Sequence, residues 1–156
     1  MFNVTLKSLR QHMACITGYN RLVRHLQGKP FTAQDEDRET YIRFAHKEPI
    51  AITEIVESNG LDDALWALRC VIGHDRDIRL FAVWCARQVQ HLMNDRRSVN
   101  ALDVAERYAN GLATEEELAA ARDAARDACA AAWDASATKQ SEMLVRMCNG
   151  QAPWQH

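Results

Sequence analysis

The chain has 156 residues, 47% of them apolar and 26% charged, with 19 lysines and arginines against 21 aspartates and glutamates. A chain of this size buries roughly two-thirds of its unfolded surface around one core, so a single domain that needs no covalent staples is expected. Six glycines and three prolines are too few for a collagen-like, linker-rich or turn-dense β architecture, and the apolar fraction is too high for a wholly disordered chain.

In the first 60 residues, Val4 to Met13, Tyr19 to Gln27 and Ile50 to Ser58 can each be drawn as a short helix, with Gly18, Gly28 and Pro49 marking their limits. Pro30 to Pro49 is ambiguous. Asp35-Glu36-Asp37-Arg38-Glu39 reads as an exposed loop, and Thr40-Tyr41-Ile42-Arg43-Phe44 alternates enough for a short strand or an extended segment, so an ordered loop or a brief helix is expected overall. Leu61 to Ile72 groups Leu61, Leu65, Leu68 and Ile72 on one helical face behind Asp62 and Asp63. Asp75 to Met93 places Ile78, Phe81, Ala82, Cys85, Val89 and Leu92 together, widened by Leu80 and Trp84, which suggests a central helix packed by more than one neighbour.

Ser98 to Ala109 has a serine cap, apolar residues at three-to-four spacing and Asn110-Gly111 as a stop, a helix of about three turns. Thr114-Glu115-Glu116-Glu117 reads as a capping box. Beyond it, eleven of the 21 residues from Leu118 to Thr138 are alanine, with no glycine or proline, so one long helix is expected to run to Asn149-Gly150. Ala121, Ala125, Ala128 and Ala132 recur at helical spacing and would admit a close neighbour, with Arg122, Asp123, Arg126, Asp127 and Asp134 on wetter faces. No internal repeat is present.

The expectation is therefore an all-α fold: one bundle of about six or seven helices over residues 1–150, with residues 61–149 as its helical core, a long alanine-rich C-terminal helix and a short tail at 151–156. No stretch of about 18 apolar residues and no secretory leader is seen, so a cytoplasmic protein is expected, with no membrane partner. Five widely spaced cysteines, Cys15, Cys70, Cys85, Cys129 and Cys148, suit free, buried thiols. Trp66 and Trp84 are assigned to the core, and Trp133 to the core ahead of a partner-anchoring role.

Motifs for chemistry are sparse. Cys70 and His74, or Cys85 and His91, belong to no zinc-ligand pattern, and the glycines form no phosphate-binding loop, so no metal and no cofactor are assigned. The paired acids sit where helices start and read as partners of the helix dipole, so no catalytic residue is assigned and no enzyme is expected. The net charge of −2 hides an asymmetry. Residues 1–34 carry five cations and no acid, whereas from Ser98 onward nine acids face five bases. Arg10, His12, Arg21, Arg24 and His25, interleaved with Tyr19, make an alternative available: a nucleic-acid-associated regulator using the basic amino-terminal arm.

Three segments carry a further resemblance. Leu61 to Arg69, Arg79 to Arg87, and Ala105 to Leu118 followed by the alanine helix resemble the immunity-protein family of bacterial polymorphic toxin systems, with related bacterial and phage proteins, over about residues 61–138. The resemblance implies an all-helical, non-enzymatic protein that binds and blocks another protein. That target is a toxin, or a bacterial defence complex such as a CRISPR effector if the chain comes from a phage or mobile element. With charge-assisted association as the mode of capture, Arg21 and Arg24 on the basic arm and Asp123 and Asp127 on the acidic helix are the contact candidates. Leu144, Val145 and Met147, together with the alanine seam, suggest self-association into a dimer.

Overall fold

Helix dominates the fold, with a single pair of two-residue strands among the described residues. The structure, a computed structural model, describes residues 1–93, 95–125 and 137–155 and divides the chain into two units, Met1–Gly73 and His74–His156.

In the first unit, β1 (Asn3–Val4) pairs antiparallel with β2 (Ile50–Ala51), Asn3 facing Ala51 and Val4 facing Ile50. Thr5 then caps α1 (Leu6–Gln11) through a reciprocal bond with Ser8. Next come α2 (Ile16–Leu26), the one-turn α3 (Ala33–Glu36), α4 (Ile52–Asn59) and α5 (Leu61–Ala67), the last running into a 3₁₀ turn at Leu68–Cys70. Helix α2 packs on α3 and α4, and α4 on α5. Phe2, Val4, Leu6, Leu9, Leu22, Val23, Ile50, Ile52 and Ile55 are buried, so the strand pair and the amphipathic faces of α1, α2 and α4 supply most of this unit's apolar burial.

The segment between α3 and β2 has no regular structure and is held by side chains instead. Asn20, 0% exposed, donates to the Thr40 carbonyl at 3.0 Å and accepts from the Ile42 amide at 2.8 Å. The Tyr41 ring packs tilted against Tyr19, with 4.6 Å between ring centroids, and its hydroxyl donates to the Ala14 carbonyl at 2.5 Å.

In the second unit, α6 (Asp75–Arg87), α7 (Arg96–Ala109), α8 (Glu115–Ala125) and α9 (Ala137–Cys148) follow in order, α7 packing on both α6 and α8, and α6 on α9. Leu80, Phe81, Val83, Cys85, Leu118, Met143, Leu144 and Met147 are buried. The C-terminal residues expected as a tail are docked: Ala152 is buried, Arg76 donates to the Trp154 carbonyl at 3.1 Å, and Gln155 donates to Asp77 and to the Met147 carbonyl, each at 3.1 Å.

Among the described residues α3 is a helix beyond those expected, and α8 and α9 lie at the two ends of the long helix expected from Thr114 to Asn149. Residues 126–136, the middle of the long helix expected there, lie outside the described residues, together with Arg126, Asp127, Ala128, Cys129, Ala132, Trp133 and Asp134. No helix among the described residues is long and apolar enough to cross a membrane.

Several expected faces differ. The helix from Leu61 stops at Ala67, and after the 3₁₀ turn the chain extends at Val71 and takes φ +81° at Gly73, so Ile72 leaves the buried face and is 91% exposed. The helix from Asp75 stops at Arg87 rather than Met93; its buried face is centred on Leu80, Phe81 and Val83, leaving Ala82 and Leu92 exposed. Trp66 and Trp84 are half-buried rather than core. Asp35, expected in an exposed loop, is buried because Thr32 caps α3 and the carboxylate folds back onto Arg24. Cys15, expected to be buried, is exposed.

Candidate functional site

The turn between α1 and α2 departs from the other helix ends among the described residues. Four helices end in the same pair of backbone bonds, in which the first two residues past the cap donate back into the last turn. After α2, α7 and α9 the first of those residues is Gly28, Gly111 or Gly150, each at φ between 64° and 73°. After α1 it is Met13, at φ 61°, donating to the Arg10 carbonyl at 3.0 Å while Ala14 donates to the Leu9 carbonyl at 3.0 Å. A side chain in that region meets the following carbonyl, a cost of about 1–2 kcal/mol that glycine escapes. Met13 is nevertheless 83% exposed, so its side chain returns little burial for that strain. The Tyr41 bond to Ala14 pins the turn from the other side.

Ala14, the residue after Met13, lines a groove of about 260 Å³, with Leu9, Tyr19, Leu22 and Ala67 among its other apolar lining residues and Trp66, Cys15, Asp62 and Asp63 also lining it. Gly18 also lines it, and a side chain there would stand 2.6 Å from an Asp63 oxygen. Asn59 fixes that carboxylate, donating to Asp63 Oδ2 and to the Gly18 carbonyl at 2.7 Å each. Cys15 caps α2, its Sγ accepting from the Gly18 amide at 3.3 Å. The Arg69 guanidinium lies 4.7 Å from the Trp66 ring centroid, and Arg10 donates to the Tyr19 hydroxyl. The groove therefore joins an apolar floor, a half-exposed indole and two carboxylates, with Met13 one residue before its lining residues Ala14 and Cys15, a composition suited to anchoring a partner's side chains.

Of the contact candidates, Arg21 and Arg24 lie on α2, but Arg24 is committed within the unit. Its guanidinium donates to both Asp35 oxygens, at 2.6 and 3.0 Å, with Thr32 and Arg38 adding bonds to the same carboxylate. That bond to Arg24, with help from Thr32 and against the effect of burial, holds the Asp35 carboxyl well below the usual carboxylate range. Arg21 rests 5.0 Å from the Phe31 ring. Asp123 is exposed on α8, and Asp127 lies outside the described residues. No group of three or more metal-ligating side chains converges among the described residues. Burial pushes the Cys85 and Cys148 thiols up to about 12, and Cys70 upward as well.

The second unit has its own cleft, of about 280 Å³, between α6, α7 and α8. Ala82, Val83, Met93, Ala101, Leu102, Ala105 and Leu118 give it apolar walls, and Arg79, Arg122, Tyr108 and Ser98 are its polar lining. Arg79 lies 4.8 Å from the Tyr108 ring, and Tyr108 donates to Glu115, a bond that raises the phenol's pKa.

Comparison with protein-family models, with curated proteins and with solved structures gives no match. The geometry of the two units thus carries the functional reading, together with the sequence resemblance. Sequence reading missed Met13, because a helix end without glycine leaves no stop signal. It also missed the cleft, although Ser98, Ala101, Leu102, Ala105 and Tyr108 follow one another at helical spacing along α7.

Proposed function

We propose that the chain is a non-enzymatic, protein-binding inhibitor that works by covering a surface of its target. It is of the immunity type, or of the type by which a phage or mobile-element protein disables a bacterial defence complex. The observation that carries this reading is Met13: the one helix end of its kind that lacks glycine among the described residues holds a large apolar side chain in water, one residue before the lining of an apolar groove. The side chain returns little burial to the fold in exchange for its strained backbone, whereas a partner that buries the methionine gains an anchor. The alanine-rich half, with its resemblance to immunity proteins, supports the same class. The rival, a nucleic-acid regulator, draws less support because Asp35 already neutralises Arg24.

The test is affinity capture from native-host extract with the wild type and with Met13→Asp, since aspartate tolerates the left-handed backbone. A protein retained in stoichiometric amount by the wild type, lost by the variant and inhibited only by the wild type is the expected result. Equal retention by both proteins, or recovery of nucleic acid alone, contradicts the proposal.

A further inference from the structure

The cleft of the second unit is not needed for the proposal above, and its chemistry points elsewhere. Its axis follows α7. Ser98, Ala101, Leu102, Ala105 and Tyr108 fall on one face of the helix and all line it, so it extends over the ten helical steps from Ser98 to Tyr108, about 15 Å at the helical rise.

The two ends differ. At the Tyr108 end stand Arg79 and Arg122, both exposed and both close enough to the Tyr108 phenol to act on it electrostatically. Glu115 is the acid at this end and is engaged by the Tyr108 hydroxyl, and neither arginine forms an ion pair among the described residues, so two guanidinium groups face one occupied carboxylate. At the other end Ser98 is 4% exposed, and its Oγ is buried with no hydrogen-bond partner. A hydroxyl so placed in a lining is an unmet demand for a polar atom. Between the ends the walls are apolar.

We propose that this cleft binds an elongated amphipathic carboxylate, its anionic end held by Arg79 and Arg122 and its hydrocarbon body lying along α7 toward Ser98. Guanidinium groups select carboxylates by charge-assisted, paired hydrogen bonds and repel ammonium ligands. The volume stands between the roughly 150 Å³ that holds benzene and the roughly 300 Å³ at which drug-sized sites begin, too small for a peptide helix and suited to a medium-chain acid. A ligand whose far end carries a hydroxyl also satisfies Ser98.

The probes are decanoate, decanol, decylamine and ω-hydroxydecanoate, titrated calorimetrically into the full chain. Decanoate is expected to bind saturably at one-to-one stoichiometry, roughly tenfold or more tightly than decanol, as expected for a charge-assisted bond, with decylamine weaker still. The double variant Arg79→Gln/Arg122→Gln, which alters exposed side chains only and whose fold is checked by circular dichroism, is expected to lower decanoate affinity to that of decanol. Ala105→Met, which fills the middle of the cleft, is expected to abolish binding of every probe, and Ser98→Ala to remove the advantage of ω-hydroxydecanoate over decanoate. Absence of saturable decanoate binding, equal affinity for decanol, or full affinity in the arginine double variant overturns the proposal.

Discussion

Replacing Asn20 by alanine probes how the first unit holds an irregular segment without secondary structure. The side chain is 0% exposed and makes two bonds to the segment, one to the Thr40 carbonyl and one from the Ile42 amide. Two such bonds are worth about 1–3 kcal/mol together. Thr40 is exposed and its carbonyl finds water, whereas Ile42 is half-buried and its amide stays partly unpaired, which adds up to about 1 kcal/mol. The expected loss is therefore about 1–4 kcal/mol, or roughly 2–16 °C in Tm for a chain of this length. Thermal unfolding followed by circular dichroism measures the loss, and hydrogen exchange at the Ile42 amide reports the local effect. Asn20→Asp, which keeps the acceptor, turns the donor into a second acceptor and buries a charge, is expected to lose at least as much. A Tm shift below about 2 °C with unchanged Ile42 protection would refute the reasoning, because it would mean that the Tyr41 contacts hold the segment alone.

Other outcomes follow from the same structure. Asp35 is held below its ordinary pKa, so the folded state favours the carboxylate; the stability it contributes is present above about pH 4 and is lost as pH falls toward the lowered value. Asp35→Asn is accordingly expected to lower stability at neutral pH and to flatten the acid limb of a urea-midpoint against pH curve. Among the described cysteines, Cys15 is expected to react with iodoacetamide at pH 8 while Cys85 and Cys148, pushed up to about 12 by burial, stay unmodified, as peptide mass mapping would show. Gln140 is buried with its Oε1 unpartnered, so Gln140→Leu is expected to leave stability unchanged or to raise it by about 1 kcal/mol in urea unfolding.

The helices were legible where caps and stops are written in residue type. Thr114 to Glu117 and Asn110-Gly111 mark real ends, and the apolar spacing of Ser98 to Ala109 falls within α7, but the expected serine cap is wrong: Asp95 accepts from the Arg97 amide and caps the helix, so it starts at Arg96 and Ser98 is buried inside its first turn. Where periodicity was extended beyond a helix end, it failed, as at Ile72 and Leu92, because a 3₁₀ turn changes the residues per turn and rotates later side chains off the face. Burial of Asp35 was not legible, since a run of acids reads as solvated and only the fold reveals that Arg24 stands opposite. The candidate sites were the least visible. Met13 matters through its backbone angle, which residue type alone does not announce, and the cleft depends on α6, α7 and α8 meeting.

The central claim is that Met13 occupies its turn for a partner's sake and against the interest of folding. Urea unfolding of Met13→Gly without any partner tests it most directly. Relief of about 1–2 kcal/mol of left-handed strain, less about 0.5–1 kcal/mol for the greater freedom of glycine in the unfolded chain, predicts a variant at least as stable as the wild type and more stable by up to about 1.5 kcal/mol, with an unchanged denaturant slope. A variant less stable than the wild type would show that Met13 serves the fold, and would contradict the account.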